Sequence, residues 1–148
     1  MNLFGTIKSK RGEHMYYLMH TYDGLKTYDG YNTTLIDKSM KYFLNQLLIQ
    51  EHVTLEGRLI ALRKKYSLKN NVPIYVHETC CFYTTKHLRA FGTIAINYHA
   101  VLSMRERTDG STEYRFKNLS ALNVDVPYQT MVRKHIRTQT FLESHGFL

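Results

Sequence analysis

The second half of the chain, from residue 72 to 126, consists of short runs of β-branched and aromatic residues separated by turn signals. PIYV, CCFYTT and GTIAINYHAV are typical of strands, and VLSMRER and STEYRFKN flank Thr108-Asp109-Gly110, a hairpin signal. LNVDV predicts another strand before Pro127, which suits the first turn of a closing helix. This run limits the chain to folds that contain a mostly antiparallel sheet.

Two segments before this run carry apolar residues at helical spacing. The first, residues 35–52, follows Thr34 and has Asp37 near its start, an approximate capping pattern. The second, residues 55–67, follows Thr54, a residue type favoured at the N-cap. The apolar stripes predict the core faces, which are Ile36, Met40, Phe43, Leu44, Leu47 and Leu48 in the first helix and Leu55, Leu59, Leu62 and Tyr66 in the second.

The N-terminal segment is also rich in strand-forming residues. Residues 3–8 and 14–21 flank the turn-like SKRG, which predicts a hairpin. TYDG occurs at 21–24 and again at 27–30, and each copy ends in the Asp-Gly turn signal. The whole pattern predicts an α+β fold, a single domain over residues 1–148 with about three helices packed on one mostly antiparallel sheet.

Several classes of protein are excluded by what the sequence lacks. No apolar run approaches the length of a bilayer-spanning helix, and cations follow the first apolar residues, the wrong order for a secretory signal. Cys80 and Cys81 are adjacent, which fits neither a disulfide framework nor metal-ligand spacing. We therefore expect a cytoplasmic protein without a cofactor or bound metal and without membrane contact.

Catalysis has little support in the sequence. There is no phosphate-binding Gly-rich loop, no GxSxG and no HExxH motif. A thiol hydrolase using Cys80 or Cys81 with a distant histidine is a remote alternative, since two small residues in a buried strand explain the pair more simply. We expect a protein that is not an enzyme.

The net charge points instead to a polyanionic partner. Twenty Lys and Arg against twelve acids give a formal charge of +8. On the wheel of the second helix, Gly57, Arg58, Ala61, Lys64 and Lys65 gather away from the leucine stripe. The two small residues either let the backbone of a nucleic acid approach or pack against a neighbouring strand or helix.

Several stretches, in order, resemble the competence transcription factor (ComK) family. They are similar to the family's apolar-apolar-Asp-basic-Ser, Ser-x-x-Gly-Arg, Pro-Ile, Phe-Pro-Thr, Trp-Ile-Ser/Asn and Phe-x-Asn-Gly segments. The matching residues are Leu35-Ile36-Asp37-Lys38-Ser39, Thr54-Leu55-Glu56-Gly57-Arg58, Val72-Pro73-Ile74, Phe82-Tyr83-Thr84-Thr85, Ile96-Asn97 and Phe116-Lys117-Asn118, with Tyr128, Arg137 and Thr138 in register with the family's last helix. The chain departs from the family at Thr84, Ala95 and Leu119, where Pro, Trp and Gly are usual.

The resemblance implies a transcription activator that binds paired A-rich and T-rich boxes of double-stranded DNA through the minor groove, as a homo-oligomer associated with the nucleoid. A-tracts have a narrow minor groove whose negative potential attracts inserted Arg or Lys. The family's members are controlled by an adaptor and a protease. The chain ends at Leu148 without the family's longer tail, so whether this control applies is left open.

Eight cations are the predicted DNA contacts, namely Arg58, Arg63, Lys64, Lys65, Lys86, Arg89, Arg133 and Arg137. Arg58 ranks first because it matches the Gly-Arg motif and shares a flank with Lys65, although pairing with Glu51 or Glu56 is the simpler alternative. Charge reversal at Arg58 and Lys65 together is expected to abolish binding.

The other seven are ranked by position. Lys64 and Lys65 also suit a helix C-terminus, and Arg63 lies on the opposite side of the wheel. Arg137 matches a family position beside Arg133, and Lys86 and Arg89 belong to a basic loop suited to phosphate contact.

Two other functions remain open. A single-strand or RNA-binding module needs exposed aromatic platforms on the sheet, whereas most tyrosines here are expected in the core. The second of these functions is that of a paralogue that pairs with a related activator and no longer binds DNA.

Overall fold

The computed structural model describes residues 15–68, 72–144 and 146. The predicted strand at residues 3–8 and the SKRG turn lie outside these ranges, as does residue 14, the first of the predicted strand 14–21. The strands are β1 (Tyr17–Thr21), β2 (Gly24–Tyr28), β3 (Thr33–Ile36), β4 (Ile74–His77), β5 (Cys80–Thr84), β6 (Ile94–Asn97), β7 (Val101–Glu106), β8 (Ser111–Phe116) and β9 (Ala121–Pro127). The helices are α1 (Met40–Ile49), α2 (Leu55–Tyr66) and α3 (Tyr128–Ser144), with a 3-10 turn at Tyr98–Ala100. The α+β class is confirmed.

The strands form two antiparallel sheets, where the sequence predicted one. Six strands take the order β3-β2-β1-β6-β5-β4, and three take the order β7-β8-β9. At the centre of the larger sheet β1 pairs with β6, so that Tyr17 lies opposite Ile96. The 3-10 turn separates β6 from β7 and redirects the chain from the first sheet into the second.

Each face of the six-stranded sheet has its own core because strand residues alternate between faces. On one face, Leu18 and Leu25 pack with the buried side of α1 and with Leu55 of α2. On the other face, Tyr17 and Ile96 pack with a cluster drawn from the same sheet, the 3-10 turn, the smaller sheet and α3. That cluster includes Tyr83, Ile94, Ala100, Tyr114, Phe116, Val124 and Met131.

A buried hydrogen-bonded network joins the two sheets to α3. The Tyr83 hydroxyl lies 2.9 Å from the Tyr114 hydroxyl and 2.9 Å from Nδ1 of His135. The His135 ring also stacks on Tyr98, with ring centroids 4.7 Å apart. Burial lowers the pKa of His135, so this imidazole is held in its neutral form.

The first predicted helix was wrong at its start. Residues 33–36 form β3, in which Leu35 and Ile36 lie opposite Lys26 and Leu25 of β2. Helix α1 begins only at Met40, after Ser39, whose hydroxyl accepts the N–H of Tyr42 at 3.0 Å. The apolar residues from Met40 to Leu48 are buried as predicted, and the helix ends at Ile49 rather than at residue 52.

The second helix was predicted correctly, and the third nearly so. Thr54 caps α2, and its Oγ1 accepts the N–H of Gly57 at 3.0 Å. Pro127 is the last residue of β9 instead of lying in the first turn of α3. Both TYDG copies contribute to turns, after β1 and after β2. No helix in the described ranges is long and apolar enough to span a membrane.

Candidate nucleic-acid interface

A groove with a volume of about 990 Å³ opens between α1, α2, β4, β5, the β5–β6 loop and α3. Its cationic side chains come from four segments of the chain and are Lys41, Arg63, Lys86, Arg89 and Lys134. Its apolar lining is aliphatic and consists of Leu55, Leu59, Ile60, Val72, Ile74 and Leu88. Glu56 is the only carboxylate-bearing residue lining it within the described ranges. We call this surface the basic groove.

Helix α2 forms one wall of the basic groove. The Thr54 cap fixes its start, and Oδ1 of Asn45 in α1 accepts the N–H of Leu55 at 2.8 Å. Leu55 and Leu62 are buried, so the helix is anchored by its leucine stripe. This anchoring turns Arg63 towards the groove.

The β5–β6 loop forms the opposite wall and is braced by hydrogen bonds. The Thr93 hydroxyl donates to the carbonyl oxygens of His87 at 2.6 Å and Ala90 at 2.8 Å. The N–H of Ala90 donates to the same His87 oxygen at 2.9 Å. Lys86 and Arg89 are exposed on this ordered loop, so their cationic ends are available to a ligand.

Helix α3 contributes a cation that is held in place by backbone oxygens. Nζ of Lys134 donates to the carbonyl oxygen of Thr84 at 2.7 Å, and the carbonyl oxygen of Thr85 lies 3.4 Å away. Burial lowers the pKa of Lys134, and the nearby charge of Arg137 lowers it further. Arg137 is exposed and lines a small recess that also includes Lys134 and Thr84.

The structure brings together four of the eight predicted contacts. Arg63, Lys86 and Arg89 line the basic groove, and Arg137 lies beside Lys134 at its edge. Arg133 is exposed on α3 but does not line the groove.

The other three predicted contacts, Arg58, Lys64 and Lys65, are on α2 but do not line the basic groove. The Arg58 guanidinium lies 5.3 Å from the centroid of the Tyr75 ring, and Lys65 Nζ lies 5.4 Å from that of Tyr66. Lys64 and Lys65 are exposed, and Arg58 is half-buried. Arg58 and Lys65 therefore form a second basic surface, separate from the basic groove.

Among the described residues, no neighbouring element lies within 4 Å of a Cβ built on Gly57. A Cβ built there meets, outside the backbone of its own helix and within the described ranges, only Thr54 Oγ1 at 3.0 Å. Ala61, one turn later, is exposed. Packing of Gly57 on a neighbouring strand or helix is therefore the wrong alternative for the described residues.

Sequence reasoning left two groove cations out of the candidate set. Lys134 shares a helical face with Arg133 and Arg137, a signal that was available in the spacing. Lys41 stands on the polar side of α1, where no local pattern distinguishes it from other surface lysines. Both are identified by the tertiary arrangement.

The two thiols are poorly suited to nucleophilic chemistry. Cys80 and Cys81 are fully buried, each with 0 % exposure. Burial raises the pKa of both thiols, so neither is a thiolate at neutral pH.

Comparison with known proteins gives the chain a family. No curated protein and no solved structure matches it. The family model described as ComK protein matches residues 9–145, nearly the whole chain. ComK proteins are competence transcription factors rather than enzymes. The α+β chain with its basic groove therefore belongs to the ComK family.

Proposed function

We propose that this ComK-family chain is a sequence-selective activator of competence genes that binds A/T-rich duplex DNA in the minor groove and at the phosphates. The observation that carries the proposal is the convergence of Arg63, Lys86, Arg89 and Lys134 on one groove. Phosphate contacts position a protein on DNA, and cations inserted into a narrow minor groove favour A/T-rich sequence. The chain acts in the cytoplasm on the nucleoid, as a homo-oligomer.

The basic groove is the primary DNA contact in this proposal. It draws cations from four segments, whereas Arg58 and Lys65 come from a single flank of one helix. The cations of the basic groove therefore contact phosphates over a longer stretch of DNA than Arg58 and Lys65.

Binding assays on two duplexes test the function. We expect an A-tract/T-tract duplex to outcompete a GC-rich duplex in gel-shift titrations, with affinity that falls steeply as salt is raised because bound phosphates release counterions. Equal affinity for the two duplexes would leave a general nucleic-acid binder. A stable complex with a related protein, without binding to either duplex, would indicate the interaction paralogue.

Matched charge reversals test the assignment of the surface. Arg63→Glu with Arg89→Glu lowers the formal charge of +8 by four, and Arg58→Glu with Lys65→Glu lowers it by the same four. We expect the groove pair to cause the larger loss of affinity, because it removes phosphate contacts as well as net charge. Equal losses from the two pairs would show that net charge alone, and not the groove, carries binding.

The salt dependence gives a second readout of the same variants. Each lost phosphate contact flattens the plot of log affinity against log salt by roughly 0.9, so the groove pair is expected to flatten it by about 2. If this slope changed only in the Arg58→Glu, Lys65→Glu variant, the second basic surface would be the DNA interface instead of the basic groove.

A further inference from the structure

Two aromatic rings lie against each other at the surface of the protein, tilted by 35°. Tyr22 is 90 % exposed and Phe91 is 46 % exposed, and their ring centroids lie 4.1 Å apart. The His20 ring meets the edge of this pair, 5.3 Å from Phe91. We call Tyr22 and Phe91 the aromatic pair.

The aromatic pair stands on a rigid base. Tyr22 lies in the β1–β2 turn, and Phe91 lies in the β5–β6 loop. The two segments are joined by the N–H of His20, which donates to the carbonyl oxygen of Thr93 at 3.0 Å. Nδ1 of His20 lies 3.4 Å from the carbonyl oxygen of Ala90. The two segments that carry the rings are therefore held together, which limits the backbone entropy lost when the rings bind.

Cations of the basic groove lie next to the aromatic pair. Lys86 and Arg89 belong to the same loop as Phe91. A Cβ built on Gly92 would lie 3.9 Å from Lys86 Nζ, which places the ammonium beside the residue that follows Phe91. Asp23 is the acid in the adjoining turn. Exposed rings beside phosphate-binding cations are the chemistry that recognises a nucleic acid.

We propose that the aromatic pair is a wedge that enters the minor groove of duplex DNA and opens a base step, with Phe91 as its leading side chain. This inference rests on the proposed function and adds a specificity element to it. Apolar side chains inserted between base steps unstack them and kink the duplex. TA steps unstack more readily than the stiff steps within A-tracts, so the wedge selects sites with a TA step beside the phosphates held by the basic groove.

The occupant is duplex DNA rather than a single strand. A single-strand site requires a series of aromatic platforms along a basic channel. The apolar lining of the basic groove is aliphatic, and within the described ranges no Tyr or Phe lines it. One aromatic pair at the end of a basic groove fits one opened step in a duplex.

The test places 2-aminopurine at the TA step of an A/T-rich duplex, where its fluorescence rises when the base is unstacked. We expect the wild-type chain to raise the fluorescence and Phe91→Ala to abolish the rise. Affinity for the TA-containing duplex should fall by about tenfold or more, the size of a lost aromatic–base stack, while the salt slope is unchanged because no phosphate contact is lost. Tyr22→Ala should show a smaller loss.

Matched variants exclude trivial causes. Tyr31 is as exposed as Tyr22, at 90 %, and lies away from the β5–β6 loop, so Tyr31→Ala should behave as wild type. Phe91→Leu keeps an apolar wedge and should retain part of the signal. Thermal unfolding of each variant establishes that it is folded.

The outcomes separate this inference from the proposed function. If the wild-type chain prefers the A/T-rich duplex but neither raises the fluorescence nor weakens when Phe91 is replaced, the wedge is wrong and the proposed function stands. If Phe91→Ala weakens single-strand binding alone, the pair is a single-strand platform and the wedge is also wrong. If the wild-type chain binds no DNA, the proposed function and the wedge are both wrong.

Discussion

Thr54 and Gly57 are coupled at the N-terminus of α2. The Thr54 hydroxyl satisfies the Gly57 N–H, and it is also the one described atom beyond the helix backbone near a Cβ at Gly57. Within the described residues, the space for a side chain at Gly57 is therefore limited by the N-cap residue Thr54. The helix-destabilising effect of Gly57 and the stabilising effect of the cap are linked through this one hydroxyl.

A double-mutant cycle at these two residues is the first prediction. Thr54→Ala should lower the free energy of unfolding by about 1 kcal/mol, because one helix N–H loses its acceptor. Gly57→Ala should raise it by about 0.5–1 kcal/mol in the Thr54→Ala background, where the added methyl meets no hydroxyl. With Thr54 present the gain should be smaller, because the Cβ contact of 3.0 Å is tight.

Urea unfolding of the four chains measures the coupling. Additive effects within error would show that the cap moves aside freely and that the two residues are independent.

At this scale the sequence predicts the cap and the core residues of α2 but not the flank that faces a ligand. Arg63 ranked low because the wheel sets it opposite Arg58 and Lys65. Which flank faces the groove depends on the β5–β6 loop and α3, both distant in sequence. Tyr22 and Tyr31 were expected in the core with other tyrosines and are instead exposed, because each stands in a turn.

The β8–β9 turn shows how a single element joins the two sheets. Nδ2 of Asn118 donates to the Tyr28 hydroxyl at 2.9 Å and to the carbonyl oxygen of Gly30 at 2.8 Å. Leu119 follows with φ of 71°, in the left-handed region that favours glycine. This geometry gives a physical reason for the Phe-x-Asn-Gly pattern that the segment resembles.

Leu119→Gly is the second prediction. The substitution should raise the free energy of unfolding by about 0.5–1 kcal/mol, since it relieves left-handed strain of about 1–2 kcal/mol and adds a smaller backbone entropy cost. Leu119 is 65 % exposed, so little packing is lost.

The matched control is Leu119→Ala, which keeps the Cβ and its strain. It should give no such gain when both variants are compared by thermal unfolding. Equal stabilisation by Ala and Gly would show that removal of an exposed leucine, and not backbone strain, is responsible.

The start of α1 shows why some elements escape prediction. Ile36 continues the apolar stripe of the helix and Leu35 starts the predicted helix, yet both residues extend the sheet as part of β3. The local sequence is compatible with either a helix or a strand at these residues. The strand forms because the backbone of β2 supplies hydrogen-bond partners for them. The strands from β4 to β9 were easier because turn signals separate most of them, although the 3-10 turn at Tyr98–Ala100 interrupts the predicted run GTIAINYHAV without such a signal.

For the whole molecule, the network of Tyr83, Tyr114 and His135 makes stability depend on pH. Burial lowers the pKa of His135 below its ordinary 6.5, and burial, Lys117 and His77 lower that of His99. Both folded-state pKa values lie below the unfolded value, so the unfolded chain binds more protons at mildly acidic pH. Their contribution to stability is complete above about pH 6.5 and is lost as the pH falls below it.

The third prediction follows from this loss of stability as the pH falls. The free energy of unfolding should fall between pH 7.5 and 5.5, by at most about 1.4 kcal/mol per pH unit for each histidine. His135→Asn should reduce this pH dependence, because it removes one of the two groups. Urea unfolding at several pH values gives the slopes.

A second histidine variant controls for the substitution itself. His52 is exposed with φ of 65°, a conformation that Asn accepts, so His52→Asn is the control for the effect of a His-to-Asn substitution on folding. An unchanged slope in His135→Asn would assign the pH dependence to other groups.

The pairing of β1 with β6 has a consequence for how the chain is made. Tyr17 finds its partner Ile96 only after most of the chain has been synthesised, and the smaller sheet and α3 come later still. During synthesis, the edge of β1 that pairs with β6 in the folded protein stays unpaired until β6 emerges. Until then it is exposed to pairing with another nascent chain. Such distant pairing slows folding relative to a chain whose contacts are local, so the six-stranded sheet is completed only after β6 has emerged.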